Sequence, residues 1–229
     1  MALIKYCLLF ITLTLITNTL WANNSKVVRD LRSRTAIKVE KEFIKNLELF
    51  GEIELGMEKN MSKLGKIHGE TGLSYQPFKE LEIEGKYRFT KNRKNYSEEF
   101  KYTHTFAAAV EGRIKIDLFK LYARLQYQNI DDDALDPQSD KDLRNILKPR
   151  IKIRYDIWGT KFSPYILSEM YFIPSQGTLF SSKIKNIVGL EYKINKKSEL
   201  KLFYRNDHEL SSYFPYTYNT LGVSITLSY

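Results

Sequence analysis

Cysteine is all but missing: Cys7 is the only one in 229 residues. It lies too early, and inside an apolar core, to be a lipid-attachment cysteine. Past residue 22 the chain therefore has no disulfide, no thiolate chemistry and no zinc–thiolate site. Long apolar runs are missing as well. Beyond residue 22 none approaches the ~20 residues that a transmembrane helix needs. A hydropathy scan reads such a chain as soluble, but that reading fails for transmembrane barrels, whose polar inner residues dilute the lipid-facing ones. No Gly-rich phosphate loop, metalloprotease motif or nucleophile motif occurs. The charge is +9, yet the cations alternate with apolar residues instead of forming a patch, which argues against nucleic acid.

Residues 1–22 differ from the rest. Lys5 is their only charge, an apolar run fills 8–20, and Trp21-Ala22 closes it. This reads as a secretory signal peptide cleaved near Ala22, with 23–229 as one exported domain. An uncleaved anchor is the alternative.

What is abundant is a beat of two. Leu47, Leu49, Gly51, Ile53, Leu55 and Met57 alternate with Glu48, Phe50, Glu52, Glu54 and Gly56. Successive strand side chains point to opposite faces, so the segment has one apolar and one acidic face. The pattern predicts strands at 35–43, 47–58, 65–76, 80–90, 99–116, 119–129, 143–157, 161–173, 183–194, 198–205 and 217–229. Short turns and longer loops alternate between them, as in outer-membrane barrels with their short turns in the periplasm. The fold class is all-β, a single antiparallel transmembrane β-barrel. Bacterial barrels have even strand counts. Twelve strands are expected, with 26–32 as a poorly formed first strand, and ten are possible.

One face of each strand is apolar. Examples are Leu81, Ile83, Gly85, Tyr87 and Phe89, then Phe119, Leu121, Ala123, Leu125 and Tyr127, then Leu221, Val223, Ile225, Leu227 and Tyr229. A charge facing mid-bilayer costs about 2–4 kcal/mol, and these positions carry none. The opposite face holds Glu48, Glu52, Glu54, Glu82, Glu84, Arg88, Arg124, Arg150, Lys152, Arg154, Glu169 and Glu191. These are the expected lumen-lining charges. They either neutralise one another and fill a narrow barrel, or leave a polar channel with a transverse field.

The sequence also resembles a known family, domain of unknown function 2490. The resemblance rests on Gly72-Leu-Ser-Tyr75, Leu81-Glu-Ile-Glu-Gly-Lys-Tyr-Arg88 and Leu121-Tyr-Ala-Arg-Leu-Gln-Tyr-Gln128. It continues through Pro149-Arg-Ile-Lys-Ile-Arg-Tyr155, Pro164-Tyr-Ile-Leu-Ser-Glu169, Gly189-Leu-Glu-Tyr-Lys-Ile194 and Leu202-Phe-Tyr-Arg205, and ends in the closing strand. It implies a bacterial outer-membrane barrel and no established activity. Leu227 and Tyr229, alternate and apolar with a terminal aromatic, look like the signal by which outer-membrane proteins engage their assembly machinery.

Candidate chemistry is thin. His68 falls inside near Glu70, His104 falls on the apolar face, and His208 falls in a loop with Asp207, Glu209, Ser211 and Ser212. No nucleophile motif accompanies them. The acidic loop with Asp131, Asp136, Asp140 and Asp142 lacks EF-hand spacing and is broken by Pro137. It reads as solvated. Lys91, Arg93 and Lys94 are placed to meet lipopolysaccharide phosphates or simply to solubilise a loop. The expectation is a non-enzymatic outer-membrane protein, structural or a narrow conduit for small polar solutes. Its partners are outer-membrane lipids and lipopolysaccharide, with no cofactor, no metal and no nucleic acid. A lipid-modifying barrel enzyme and a soluble periplasmic barrel are the alternatives. Oligomeric state is not readable.

Overall fold

In the structure, a computed structural model, the described residues are 29–93, 100–132, 142–175, 178–210 and 217–229. The signal-peptide segment, Cys7 and the loop residues Lys94, Asp136, Asp140, Ser211 and Ser212 lie outside them. The described residues form eleven strands. These are β1 (Arg29–Ile44), β2 (Leu47–Glu58), β3 (Lys63–Phe78), β4 (Leu81–Arg93), β5 (Phe100–Ile116), β6 (Phe119–Asp132), β7 (Asp142–Tyr155), β8 (Phe162–Ser175), β9 (Thr178–Asn195), β10 (Ser198–Glu209) and β11 (Thr217–Ser228). Each pairs with its sequence neighbour, and β1 pairs with β11 to close the barrel.

The count corrects the expected twelve or ten. Residues Arg29 to Arg32 are not a separate strand; they are the first part of β1. Alternation runs unbroken through them, with Leu31 exposed outside while Arg32 and Arg34 pair with Glu58 inside. The even-count rule assumes antiparallel closure. Here the seam is parallel, from Arg29 opposite Thr217 to Glu40 opposite Ser228, and an odd number of alternating strands closes only that way. Consequently β1 starts at the long-loop rim and β11 ends at the short-turn rim. The start of β1 is held by the β2–β3 turn: Met61 N–H donates to Leu31 O at 3.1 Å, and Asn60 N–H to Asp30 Oδ1 at 2.9 Å. At the far end Tyr229 N–H donates to Glu40 O at 2.9 Å.

The side chains divide as the alternation requires. Ile37, Ile53, Ile83, Phe106, Val110, Leu125, Ile151, Val188 and Leu202 are exposed outside. The fully covered residues are mostly polar or charged, and they lie inside. Inward glycines are packed by aromatic rings on the neighbouring strand. Phe50 stands opposite Gly72, Tyr165 opposite Gly189 and Phe203 opposite Gly222. A Cβ at Gly189 would sit 2.5 Å from Tyr165 Cζ, so the ring occupies the space a side chain would need.

The outer apolar band has visible edges. On β6 it runs from Phe119 to Tyr127, about 20 Å at ~3.3 Å per residue and ~40° of tilt. At the long-loop side it stops at an asparagine level: Asn145 Oδ1 accepts from Tyr127 Oη at 2.7 Å and Asn129 Nδ2 at 2.9 Å. The same arrangement recurs on β10 and β11, where Asn219 Oδ1 accepts from Tyr204 Oη at 2.7 Å and Asn206 Nδ2 at 3.0 Å. At the short-turn side Phe43, Phe78, Ile116, Trp158 and Tyr229 stand exposed, Trp158 at 85%.

Candidate functional site: the ionic interior

The interior is a series of ion-pair clusters with two unlike halves. From β2 to β5 carboxylates predominate, and Lys86 and Arg113 each serve two of them. Lys86 Nζ lies 3.1 Å from both Glu70 and Glu84, and Arg113 pairs with Glu82 and Glu111. Arg88 adds a 2.7 Å hydrogen bond to Glu70. From β6 to β10 cations predominate, and Glu191 and Glu169 each serve several of them. Glu191, 2% exposed, accepts from Lys152 at 2.6 Å and Arg154 at 2.9 Å, with Lys201 at 4.0 Å. Glu169 accepts from Lys185 at 2.9 Å and has Lys148 at 4.0 Å.

Two bridges join the halves by skipping a strand. Arg124 on β6 holds Glu84 on β4 with two hydrogen bonds of 2.6 and 3.1 Å. Arg150 on β7 holds Glu111 on β5 at 2.7 Å. Such fork-to-carboxylate geometry suits Arg better than Lys. At mid-height the covered groups (Glu70, Glu84, Glu111, Arg124, Gln126, Lys148, Glu169 and Glu191) are each below one-tenth exposed. The barrel is thus filled there by its own side chains, as small barrels can be.

Every residue expected to line the lumen is on the inner face of its strand. Glu52 and Glu54 flank His68, Glu82 meets Arg113, and Glu48 lies near the short-turn end. Arg34, Lys66, Lys185 and Asp207 belong to the same network but were not expected. Their signal was the alternation itself: Lys66 and Lys185 lie on the inner beat within predicted strands, and Arg34 and Asp207 continue it just past the ends of 35–43 and 198–205.

Among the described residues the histidines do not assemble a catalytic group. His68 is inside, on the same face of β3 as Glu70, and its charged partners are Glu52 at 3.4 Å and Glu54 at 3.3 Å on β2. These three bring ligand-type atoms within 4.8 Å of one another. Glu54 Oε1 already has Lys66 and Arg34 each at 3.6 Å, so cations of the protein meet its charge. His208 lies within β10, not in a loop, with Nδ1 at 2.9 Å from Thr217 Oγ1. His104 is on the outer face, 2.6 Å from Tyr87 Oη. Among the described residues no serine or cysteine stands beside any of them in hydrogen-bond range.

At the short-turn mouth, Lys161, Lys193, Lys196, Lys197 and Lys201 line a vestibule of about 750 Å³ with Glu40 and Glu199. Beside the β5–β6 turn, Asp156 accepts from Ser163 Oγ at 2.9 Å and pairs with Lys120 at 2.9 Å and Arg154 at 3.0 Å. Burial alone raises its pKa, but the hydrogen bonds from Lys120 and Ser163 and the Arg154 charge outweigh it and hold the carboxyl at about 2.

With this geometry in hand, comparison with known proteins gives a family. The family described as Protein of unknown function (DUF2490) matches residues 33–214, and the chain belongs to it. The crystal structure of the β-domain of the Bordetella autotransporter Brka is similar at a TM-score of 0.47 and 8% identity, covering 77% of this chain and 81% of that one. A search of curated proteins finds no match.

Proposed function

We propose that this protein is a non-enzymatic outer-membrane barrel with a structural role, closed to bulk solute flow by its own ionic filling. One observation carries the reading: apolar side chains face out around the wall while charged ones face in. In water that arrangement would expose a wide apolar surface, far beyond the few hundred Å² a soluble monomer shows. In hydrocarbon it is the low-energy arrangement, because a barrel leaves no backbone group unpaired and no charge in lipid. The band height, about 20 Å on β6, is close to the ~25 Å band of outer-membrane barrels. This argues against a soluble periplasmic barrel. The reading includes export, cleavage near Ala22, and assembly through β11 with its Leu227 and Tyr229.

The direct test is fractionation with heat-modifiable gel mobility, followed by planar-bilayer recording. The expected result is an outer-membrane, heat-modifiable band with no steady conductance. The lysine-lined vestibule favours a second reading, a narrow conduit, for which it sets a preference for anions. An anion-selective conductance would establish that reading in place of the first. Unchanged lipid profiles in His68→Ala, His104→Ala and His208→Ala would dispose of the lipid-modifying alternative.

A further inference from the structure

The outer wall between β3 and β6 is not evenly covered. In one cross-strand row Leu73 stands opposite Gly85, Gly85 opposite Ala108, and Ala108 opposite Tyr127. The two small residues leave an apolar groove of about 550 Å³ between larger neighbours, including Tyr87 and Phe106. A Cβ at Gly85 would meet nothing within 4 Å.

The groove is held open by fixed walls. Tyr87 Oη is tied to His104 Nδ1 at 2.6 Å, and Tyr127 Oη to Asn145 at 2.7 Å. Neither ring is free to swing over Gly85. Six residues further along β4, at the long-loop end, Lys91 Nζ sits 4.5 Å from the centre of the Phe100 ring. Arg93 lies 5.1 Å from the same ring and donates to Leu64 O at 3.1 Å. Among the described residues, Asp131, in register with His104, is an acidic group on this stretch of wall. Lys91, six residues on from Gly85, therefore stands about 15 Å above the groove floor, and Arg93, eight residues on, about 20 Å, from ~3.3 Å per residue and ~40° tilt. The nearer distance is half of a ~30 Å hydrocarbon core.

We propose that this groove is a binding site for one anionic, phosphate-bearing membrane lipid of the outer leaflet. One acyl chain lies on Gly85 and Ala108, and the headgroup phosphate sits at Lys91 and Arg93. The charge of the rim selects the headgroup, and the distance from rim to floor matches a lipid tail rather than a soluble anion. The inference rests on the outer-membrane reading above.

The test uses the full-length processed barrel in detergent, presented with equimolar phosphatidylglycerol and phosphatidylcholine and read by native mass spectrometry. Wild type is expected to retain one phosphatidylglycerol in preference, by about fivefold for each rim cation. Gly85→Leu fills the groove and is expected to lose retention of both lipids. Gly112→Leu adds the same bulk elsewhere on the wall and is expected to behave as wild type. Lys91→Ala with Arg93→Ala is expected to keep a lipid but lose the preference. Equal retention by wild type and Gly85→Leu would overturn the proposal, as would an unchanged preference in the double variant. Heat-modifiable mobility of wild type is scored first. A chain that never forms a barrel overturns the outer-membrane reading as well, whereas a barrel without lipid preference overturns this site alone.

Discussion

The β2–β5 and β6–β10 halves of this barrel solve one electrostatic problem with opposite signs. In the first, carboxylates outnumber cations and Lys86 and Arg113 are the shared partners. In the second, cations outnumber carboxylates and Glu191 and Glu169 are the shared partners. An isolated buried charge is prohibitive, so each half depends on its minority charge. The outside differs too. The first half interleaves Gly51, Gly69, Gly85 and Ala108 with outward Ile53, Ile83 and Phe106, whereas the second carries Ile151, Val188 and Leu202. Charge compensation therefore crosses from one half to the other, where Arg124 and Arg150 reach back to Glu84 and Glu111.

The largest effect should come from removing a minority charge. Glu191→Gln leaves Lys152 without its carboxylate and Arg154 with Asp156 alone, and is expected to cost about 3–5 kcal/mol. Urea unfolding in lipid vesicles would measure it. Glu82→Gln, in the half rich in carboxylates and half-buried, should cost under ~1 kcal/mol. Equal losses in the two variants would erase the comparison. Next is the wall: Ile151→Arg puts a charge in the apolar band and should cost about 2–4 kcal/mol in the same assay. Gly189→Ala pushes a methyl into Tyr165 and should cost about 1–3 kcal/mol. Tyr165→Val in the same chain should recover most of that loss, since contacting residues are not additive.

The smallest effect is at the rim. Asp156 has a pKa of about 2, below its ordinary 3.8. Its stabilisation is present above the ordinary value and lost as pH falls through about 2. Asp156→Asn should therefore be slightly less stable than wild type at pH 6, and the gap should close at the lowest pH. A gap that persists or widens at low pH would contradict this sign.

Much of this is legible in the sequence. Strand 47–58 matches β2 end to end, and the in–out assignment of Glu84, Arg124 and Glu191 follows from period two. The parallel seam was not legible, because the register of β1 on β11 joins opposite ends of the chain and leaves no local pattern. The partner choices were hidden for the same reason. That Arg124 reaches across β5 to Glu84 depends on lateral register and barrel curvature. The groove at Gly85 likewise exists only because Ala108 falls beside it.

The central claim is that hydrocarbon touches the odd-numbered face of β6 and never the even one. Cysteine scanning tests this cleanly, because replacing Cys7 leaves a chain with no background thiol. Single cysteines at Leu121, Ala123 and Leu125, and at Tyr122, Arg124 and Gln126, would carry a fluorophore in vesicles containing a lipid-borne quencher. The account predicts strong quenching at 121, 123 and 125 and little at 122, 124 and 126. Quenching at the even positions, or labelling of the odd ones by a water-soluble, membrane-impermeant maleimide, would contradict it.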